Sequence, residues 1–365
     1  MNAPLAGVRI VDLSRLLPGP FCTWLLSSLG AEVIRVEPPG GGDYSRQLPP
    51  LISGHGVFFA ALNRGKRSVA LDIRQEQGRR GFEALLHSAD VLLEGFKPGT
   101  LARAGLSGED MLSRHPKLVI ASISGFGQSG PLAQEPGHDL NYQGYAGIVA
   151  GQAHLEPSVV QVADLAGGAL MAALGIVSAL YGVARGGAGR WLDCSMTDGA
   201  LALMAPQLAV AQAEGRPLRP GGELLTGGAA HYRCYRCADG RWITLAPLEP
   251  KFWAALREAI PECPEGPDAA ALTAIFSSQP AAHWIARAPG ACVGPVLRAR
   301  ELPEHPLHKA RGNFERVLGI PMAKAPFPWA PEPVVPRLGE HTRQILGPLG
   351  VDVDALLKLG QAQEA

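Results

Sequence analysis

Residues 68–73 read SVALDI, residues 74–88 read RQEQGRRGFEALLHS and residues 90–96 read DVLLEGF, and this succession decides the fold class. The first and third pieces are short aliphatic runs of the kind that fill a buried strand. The middle piece can place Phe82, Leu85 and Leu86 on one helical face, with Arg79, Arg80 and Glu83 at polar positions. A strand, a helix with one apolar face and a second strand form a crossover unit, which predicts two parallel strands of one sheet. Similar runs at 7–13, 31–37 and 118–124 extend the pattern on both sides. The fold class is therefore α/β, with a Rossmann-like large domain built on a parallel sheet.

Two further helices are expected at 139–150 and 164–184, each opening with an aspartate able to cap its free backbone N–H groups. Another apolar helix is expected at 198–213, and a Pro/Gly-rich passage at 217–222 reads as a linker. Beyond it, 232–237 and 242–246 flank Ala238-Asp239-Gly240, a hairpin turn signal that opens a smaller α+β domain. A Pro-rich stretch at 325–336 precedes a last helix-like segment, 340–357. The predicted organisation is a large Rossmann-like domain over 1–190, completed by 326–365, a helical linker over 191–225 and a small α+β domain over 226–325.

Lysine plus arginine and aspartate plus glutamate number 33 each, so the formal charge is zero and no nucleic-acid or membrane-surface partner is indicated. Any anion site must be made by local cations. Six cysteines without a secretory start do not read as a disulfide framework, and a reducing, cytoplasmic setting is expected. Residues 165–184 run twenty residues without a charge, the length of a membrane span, but ten of them are Gly or Ala. A buried helix packed closely on its neighbours is the expectation, with no membrane partner.

Gly125-Phe126-Gly127-Gln128-Ser129-Gly130 is formally a dinucleotide fingerprint after a strand. Pro131 and Pro136 follow at once, so no helix start stands where a pyrophosphate would need one, and a tight functional loop is expected instead. Cys234 and Cys237 lack the second ligand pair that zinc requires and read as ordinary packing, so no metal is expected. The informative cluster is Gly137-His138-Asp139-Leu140-Asn141-Tyr142. Backbone N–H dipoles at a helix start favour a neutral imidazole at His138, and the preceding glycine lets a ligand approach the backbone. By pattern alone His138 reads more often as a structural histidine, Asp164 as a helix cap and Glu249 as a surface carboxylate.

These segments together resemble a family. Residues 137–142, the helix start Val162-Ala163-Asp164-Leu165-Ala166-Gly167-Gly168, and Tyr235 to Gly240 followed by Leu248-Glu249-Pro250 are similar, in order, to motifs of family III CoA-transferases of the CaiB/BaiF type. Within that family they resemble the α-methylacyl-CoA racemases most. The likeness begins at residues 5–13 and Pro18-Gly19-Pro20 and runs to 291–297. It implies the family III fold and an interlocked homodimer in which Glu249 serves the histidine of the other subunit. It also implies His138 and Asp164 as the two catalytic bases, with Glu249 bonded to the histidine.

The resemblance further implies contacts to coenzyme A, carried as part of an acyl-CoA substrate rather than as a separate cofactor. These fall at Asn63, Arg64, Lys66 and Arg67, at Leu93, Glu94 and Lys97, at Arg103, and at Gly137, Asp139 and Tyr142. The cations among them suit the ADP phosphates. Pro38 and Pro39 stand where racemase relatives would carry a further basic residue. The expected reaction is racemisation of 2-methylacyl-CoA thioesters through an enolate. The alternative is CoA transfer between carboxylic acids with Asp164 as nucleophile. Leu16, Leu17, Tyr142, Tyr145 and Ile148 are candidates for either core or acyl pocket.

Overall fold

The computed structural model describes residues 2–365, which divide into two compact units. The larger gathers residues 2–146, Ser158–Leu203 and Lys309–Ala365; the smaller comprises Gly147–Pro157 and Met204–His308.

The larger unit is built on strands β1 (Arg9–Asp12), β2 (Glu32–Glu37), β3 (Arg67–Leu71), β4 (Val91–Glu94), β5 (Val119–Ser124) and β6 (Arg190–Ser195). Among them run helices α1 (Pro18–Ser27), α2 (Val57–Asn63), α3 (Glu76–Leu86), α4 (Asp139–Tyr145), the continuous α5 (Ala163–Ala184) and α6 (Met196–Leu203). Every residue of β4 and β5 is buried, as befits strands covered on both faces. Val11, Ile34, Val69, Leu92 and Ile120 from the strands pack on Phe82, Leu85 and Leu86 of α3.

The smaller unit contains helix α7 (Ala205–Ala213), hairpin β7 (Arg233–Arg236) and β8 (Trp242–Leu245), helices α8 (Pro250–Ala259), α9 (Ala269–Phe276) and α10 (Ala281–Arg287), and strand β9 (Val293–Pro295). Its antiparallel sheet runs β9-β8-β7, and Tyr235, Ile243 and Leu245 pack on Leu256, Leu272, Phe276 and Trp284. The turn between β7 and β8 closes on Gly240 at φ +74, where glycine is free of the Cβ clash. Cys237 is buried and Cys234 exposed, both as free thiols.

The chain then returns to the larger unit with hairpin β10 (Phe314–Val317) and β11 (Ile320–Ala323), helices α11 (Thr342–Leu346) and α12 (Val353–Lys358), and β12 (Ala362–Gln363). The large sheet runs β12-β3-β2-β1-β4-β5-β6, parallel throughout except for β12. Strand order therefore reverses at β1, which opens a crevice between β1 and β4 at the carboxyl edge.

Several expectations are corrected. Residues 191–203 are not linker: β6 pairs with β5 from Val119↔Arg190 to Ser124↔Ser195, and α6 follows in the same unit. Residues 309–325 also belong to the larger unit, where Val317 and Met322 pack on Phe59 and Ala60. Helix α4 stops at Tyr145 because Gly147 turns left-handed at φ +79. The 198–213 segment breaks in two, α7 restarting with Pro206 in its first turn. The 340–357 segment is interrupted by Gly347-Pro348-Leu349-Gly350, with Gly350 at φ +78. Helix α5 is long and apolar enough to cross a membrane, and only a third of its most apolar stretch is buried in this chain. Leu170, Leu174, Val177 and Tyr181 stand exposed along one side of it, so the expectation of a fully buried helix does not hold. Its glycines do admit close neighbours: a Cβ on Gly199 of α6 would lie 1.9 Å from the Gly167 carbonyl.

Candidate functional site

The crevice begins where β1 ends. Asp12, fully buried, accepts from Ser14 N at 2.9 Å and Thr23 Oγ1 at 2.7 Å, which pins the loop that follows. Leu16 in that loop sits at φ +60, held by its N–H to Asp43 Oδ2 at 2.9 Å. Two hollows open around the loop. One, of about 490 Å³, is lined by Arg15, Pro38, Asp72, Ile73, Arg74 and Leu101 among others. The second, of about 540 Å³, is lined by Lys97, Ile123, Ser124, Gly125, Phe126, Gly137, His138, Asn141 and Tyr142. Ser14, Arg15 and Phe96 line both, so the two adjoin and can take one elongated ligand.

Most of the cations named from the sequence lie elsewhere. Lys66 is buried and donates to Pro20 O at 2.9 Å, Thr23 Oγ1 at 2.8 Å and Asn63 Oδ1 at 2.9 Å. Burial lowers its pKa to about 7, opposed by the charge of Asp12. Arg64 is buried too, spending its guanidinium on Glu315 at 2.8 Å and on the carbonyls of Ala61 and Ala323. Asn63 is fully buried, and Arg67 pairs with Glu32 at 2.6 Å. Leu93 is buried inside the sheet; Glu94, raised above its ordinary pKa by burial, accepts from Phe96 N at 2.7 Å. Arg103 is exposed beside Thr100. Lys97 is exposed and does line the second hollow.

Arg15 and Arg74 are the guanidinium groups the sequence reading missed. Both are exposed and line the first hollow, Arg15 lying 5.4 Å above the Phe96 ring and Arg74 paired with Asp72 at 2.8 Å. Each stands three residues past the end of a parallel strand, β1 and β3 respectively, which is the signal that would have found them.

His138 occupies the cap position of α4, exposed to the second hollow, and its N–H donates to Asn141 Oδ1 at 3.0 Å. Tyr142 below it donates to Gly137 O at 2.6 Å and meets Phe126 edge-to-face at 5.1 Å. Its ring fills the space a side chain would need: a Cβ on Gly137 would lie 2.7 Å away and one on Gly125 2.4 Å away. Gly125-Phe126 thus forms part of the hollow wall, and no helix begins until Asp139.

The aspartates act differently from the expected self-caps. Asp139 Oδ1 accepts from Ala163 N at 2.8 Å and Asp164 N at 3.0 Å, capping α5 from a different helix. Asp164 lies within the first turn of α5, in a π-helical stretch, with its carboxyl accepting no hydrogen bond among the described residues. Burial first, and the nearby Asp139 carboxylate second, raise Asp164 from 3.8 to about 7. A neutral carboxylic acid can donate a proton, and its conjugate base can take one, so at neutral pH this group can do either. Asp139, the residue after His138, thus bonds the backbone N–H of Asp164, while the Asp164 side chain is not among the groups lining either hollow. Glu249 stands in the smaller unit, exposed at the cap position of α8, with no side-chain partner among the described residues. No cluster of three metal-ligating side chains occurs among the described residues.

The model of CoA-transferase family III matches residues 5–342. The α-methylacyl-CoA racemase of Mus musculus is 34% identical, over 97% of this chain and 96% of its own length. The acetyl-CoA:oxalate CoA-transferase of Acetobacter aceti is 35% identical over 89% of each. The crystal structure of a CAIB/BAIF family protein from Brucella suis superposes with a TM-score of 0.83 at 32% identity, covering 96% of this chain and 100% of that one. The chain belongs to CoA-transferase family III, and its architecture is that of the family's solved structures.

Proposed function

We propose that this family III enzyme racemises 2-methylacyl-CoA thioesters, with His138 and Asp164 as the two acid/bases. The observation that carries the reading is an exposed imidazole in the hollow at the start of one helix, next to the Asp139 that bonds the backbone of Asp164, whose carboxyl is raised to about 7. Inversion at the α-carbon needs a base on one face and an acid on the other. Neutral His138 takes the α-proton while protonated Asp164 returns one to the opposite face, leaving imidazolium and carboxylate; this is the form that runs the reverse direction. The enolate between them needs a donor already in place. The Asp139 N–H, in the first turn of α4 and without an intrahelical acceptor, can supply one, a contribution of about 3 to 4 kcal/mol. The adjoining hollow with Arg15 and Arg74 suits the anionic end of coenzyme A.

Glu249 is proposed to orient the imidazole from the partner of a homodimer, and the exposed Leu170, Leu174, Val177 and Tyr181 side of α5 supports a covered surface there. CoA transfer is the second reading, favoured by the 35% identity to a CoA-transferase, with Asp164 attacking an acyl thioester to form a mixed anhydride. With a pKa of about 7, about half of the Asp164 carboxyl is ionised at neutral pH, so its charge state alone does not separate the two readings. Mass spectrometry of 2-methylacyl-CoA in deuterium oxide tests the two. Deuterium at the α-carbon with inversion, lost in His138→Ala and Asp164→Ala, supports racemisation. CoA passing to an added carboxylic acid without exchange replaces it with transfer.

A further inference from the structure

We propose that Asp139 is a positioning residue for Asp164: its carboxylate caps the helix that carries Asp164, ties it to the helix that begins at His138, and holds a negative charge beside the Asp164 carboxyl. The inference rests on the proposed function only for its consequence in turnover.

Helix starts leave backbone N–H groups without intrahelical partners, and a side chain in the cap position usually serves them. Val162 holds that position in α5 and offers no acceptor. Asp139 serves instead, one oxygen receiving both Ala163 N and Asp164 N, while its other oxygen receives Gln143 Nε2. Gln143 is buried and is held in turn by Ser158 Oγ at 3.1 Å. Both carboxylate oxygens are thus committed, and the Asp139 carboxyl is fixed in place. Asp164 itself is freed from capping, so its carboxyl remains available for chemistry.

The other groups that could set the charge of Asp164 are few. Helix α4 brings His138, Tyr142 and Tyr145; α6, packed closest on the start of α5, brings Asp198; β6 brings Arg190, Asp193 and Cys194; α1 brings Cys22; β5 brings no titratable group. Asp139 is the charge that bears on Asp164, and Asp164 and Asp139 both bear on Tyr142. A like charge beside a carboxyl favours its protonated form.

Two variants separate the cap from the charge. Asp139→Asn keeps an oxygen for the two N–H groups and removes the charge; Asp139→Ala removes both. Asp164 is followed in the free protein by the infrared carboxyl band that Asp164→Asn abolishes, and the cap by hydrogen exchange at the Ala163 and Asp164 amides. In Asp139→Asn the band's midpoint should fall by about one pH unit with the amides still protected. In Asp139→Ala the amides should also exchange at least tenfold faster. An unchanged midpoint in Asp139→Asn overturns the proposal, as do amides that stay protected in Asp139→Ala. Should Asp139→Ala not fold, Asp139→Asn decides alone. None of these readouts requires turnover: if they behave as stated while the wild-type protein exchanges no α-proton, the racemase reading fails and the positioning role stands.

Discussion

Replacing Asp164 by asparagine removes a titration, and this gives its effect on stability a definite sign and size. In the unfolded chain an aspartate holds its proton only below about 3.8; in the folded protein Asp164 holds it up to about 7. Between these values the folded state binds more protons than the unfolded one, so the wild-type protein loses stability as pH rises from 3.8 and the loss levels off above 7. Each tenfold in proton affinity is about 1.4 kcal/mol, so the full penalty is on the order of 4 kcal/mol. Roughly 2.5 kcal/mol of it falls between pH 5 and pH 8.5. Asparagine has the same shape and no charge to desolvate. Asp164→Asn should therefore gain on the wild type by roughly 2.5 kcal/mol between those pH values, read by urea unfolding at matched protein concentration. The gain in stability should accompany loss of α-proton exchange, the trade expected of a group held in an unfavourable environment for its chemistry. A difference between the two proteins that does not change with pH would refute the argument, because it would mean Asp164 titrates alike in both states.

Gly137→Ala places a methyl 2.7 Å from the Tyr142 ring, which has Gly125 behind it, and should cost about 1 to 3 kcal/mol in thermal unfolding together with most of the activity. Arg15→Gln and Arg74→Gln should each raise KM for an acyl-CoA several-fold while leaving kcat within about twofold, with a salt dependence of KM weaker than that of the wild type. Glu249→Gln should lower kcat more than it changes KM; an unchanged kcat would remove Glu249 from the site. If the proposed homodimer packs on the exposed side of α5, Leu174→Glu in the middle of that side should shift sedimentation from dimer to monomer and abolish activity with it; a wild-type protein active as a monomer would refute the shared site.

The parts of the fold that were legible are those in which the local pattern and the final environment agree. Strands β4 and β5 are buried at every residue and announce themselves as short aliphatic runs, and β2 still shows through Val33, Ile34 and Val36 although Arg35 and Glu37 are buried among them. Strand β6 is half exposed, with Trp191 and Asp193 interrupting the pattern, and it was read as linker. In the site, the motif order singled out His138 and Asp164, but composition says nothing about burial. Lys66 and Arg64 looked like phosphate ligands from sequence; three oxygens around one and a glutamate with two carbonyls around the other show structural cations. The cap that Asp139 gives to α5 was illegible because its partners lie 24 and 25 residues away, beyond the reach of any local capping rule.

The sheet order also constrains how the chain can be made. Strand β3 acquires its outer neighbour only from Ala362 and Gln363, whereas the smaller unit is, apart from Gly147–Pro157, one unbroken stretch from Met204 to His308. On the ribosome that stretch can collapse around its own core while β3 still presents an open, hydrogen-bonding edge. The larger unit, whose parts come from three separated segments, stays the more exposed to mispairing until residue 363 has emerged, so chaperone demand during synthesis should fall on the Rossmann-like unit rather than on the one inserted into it.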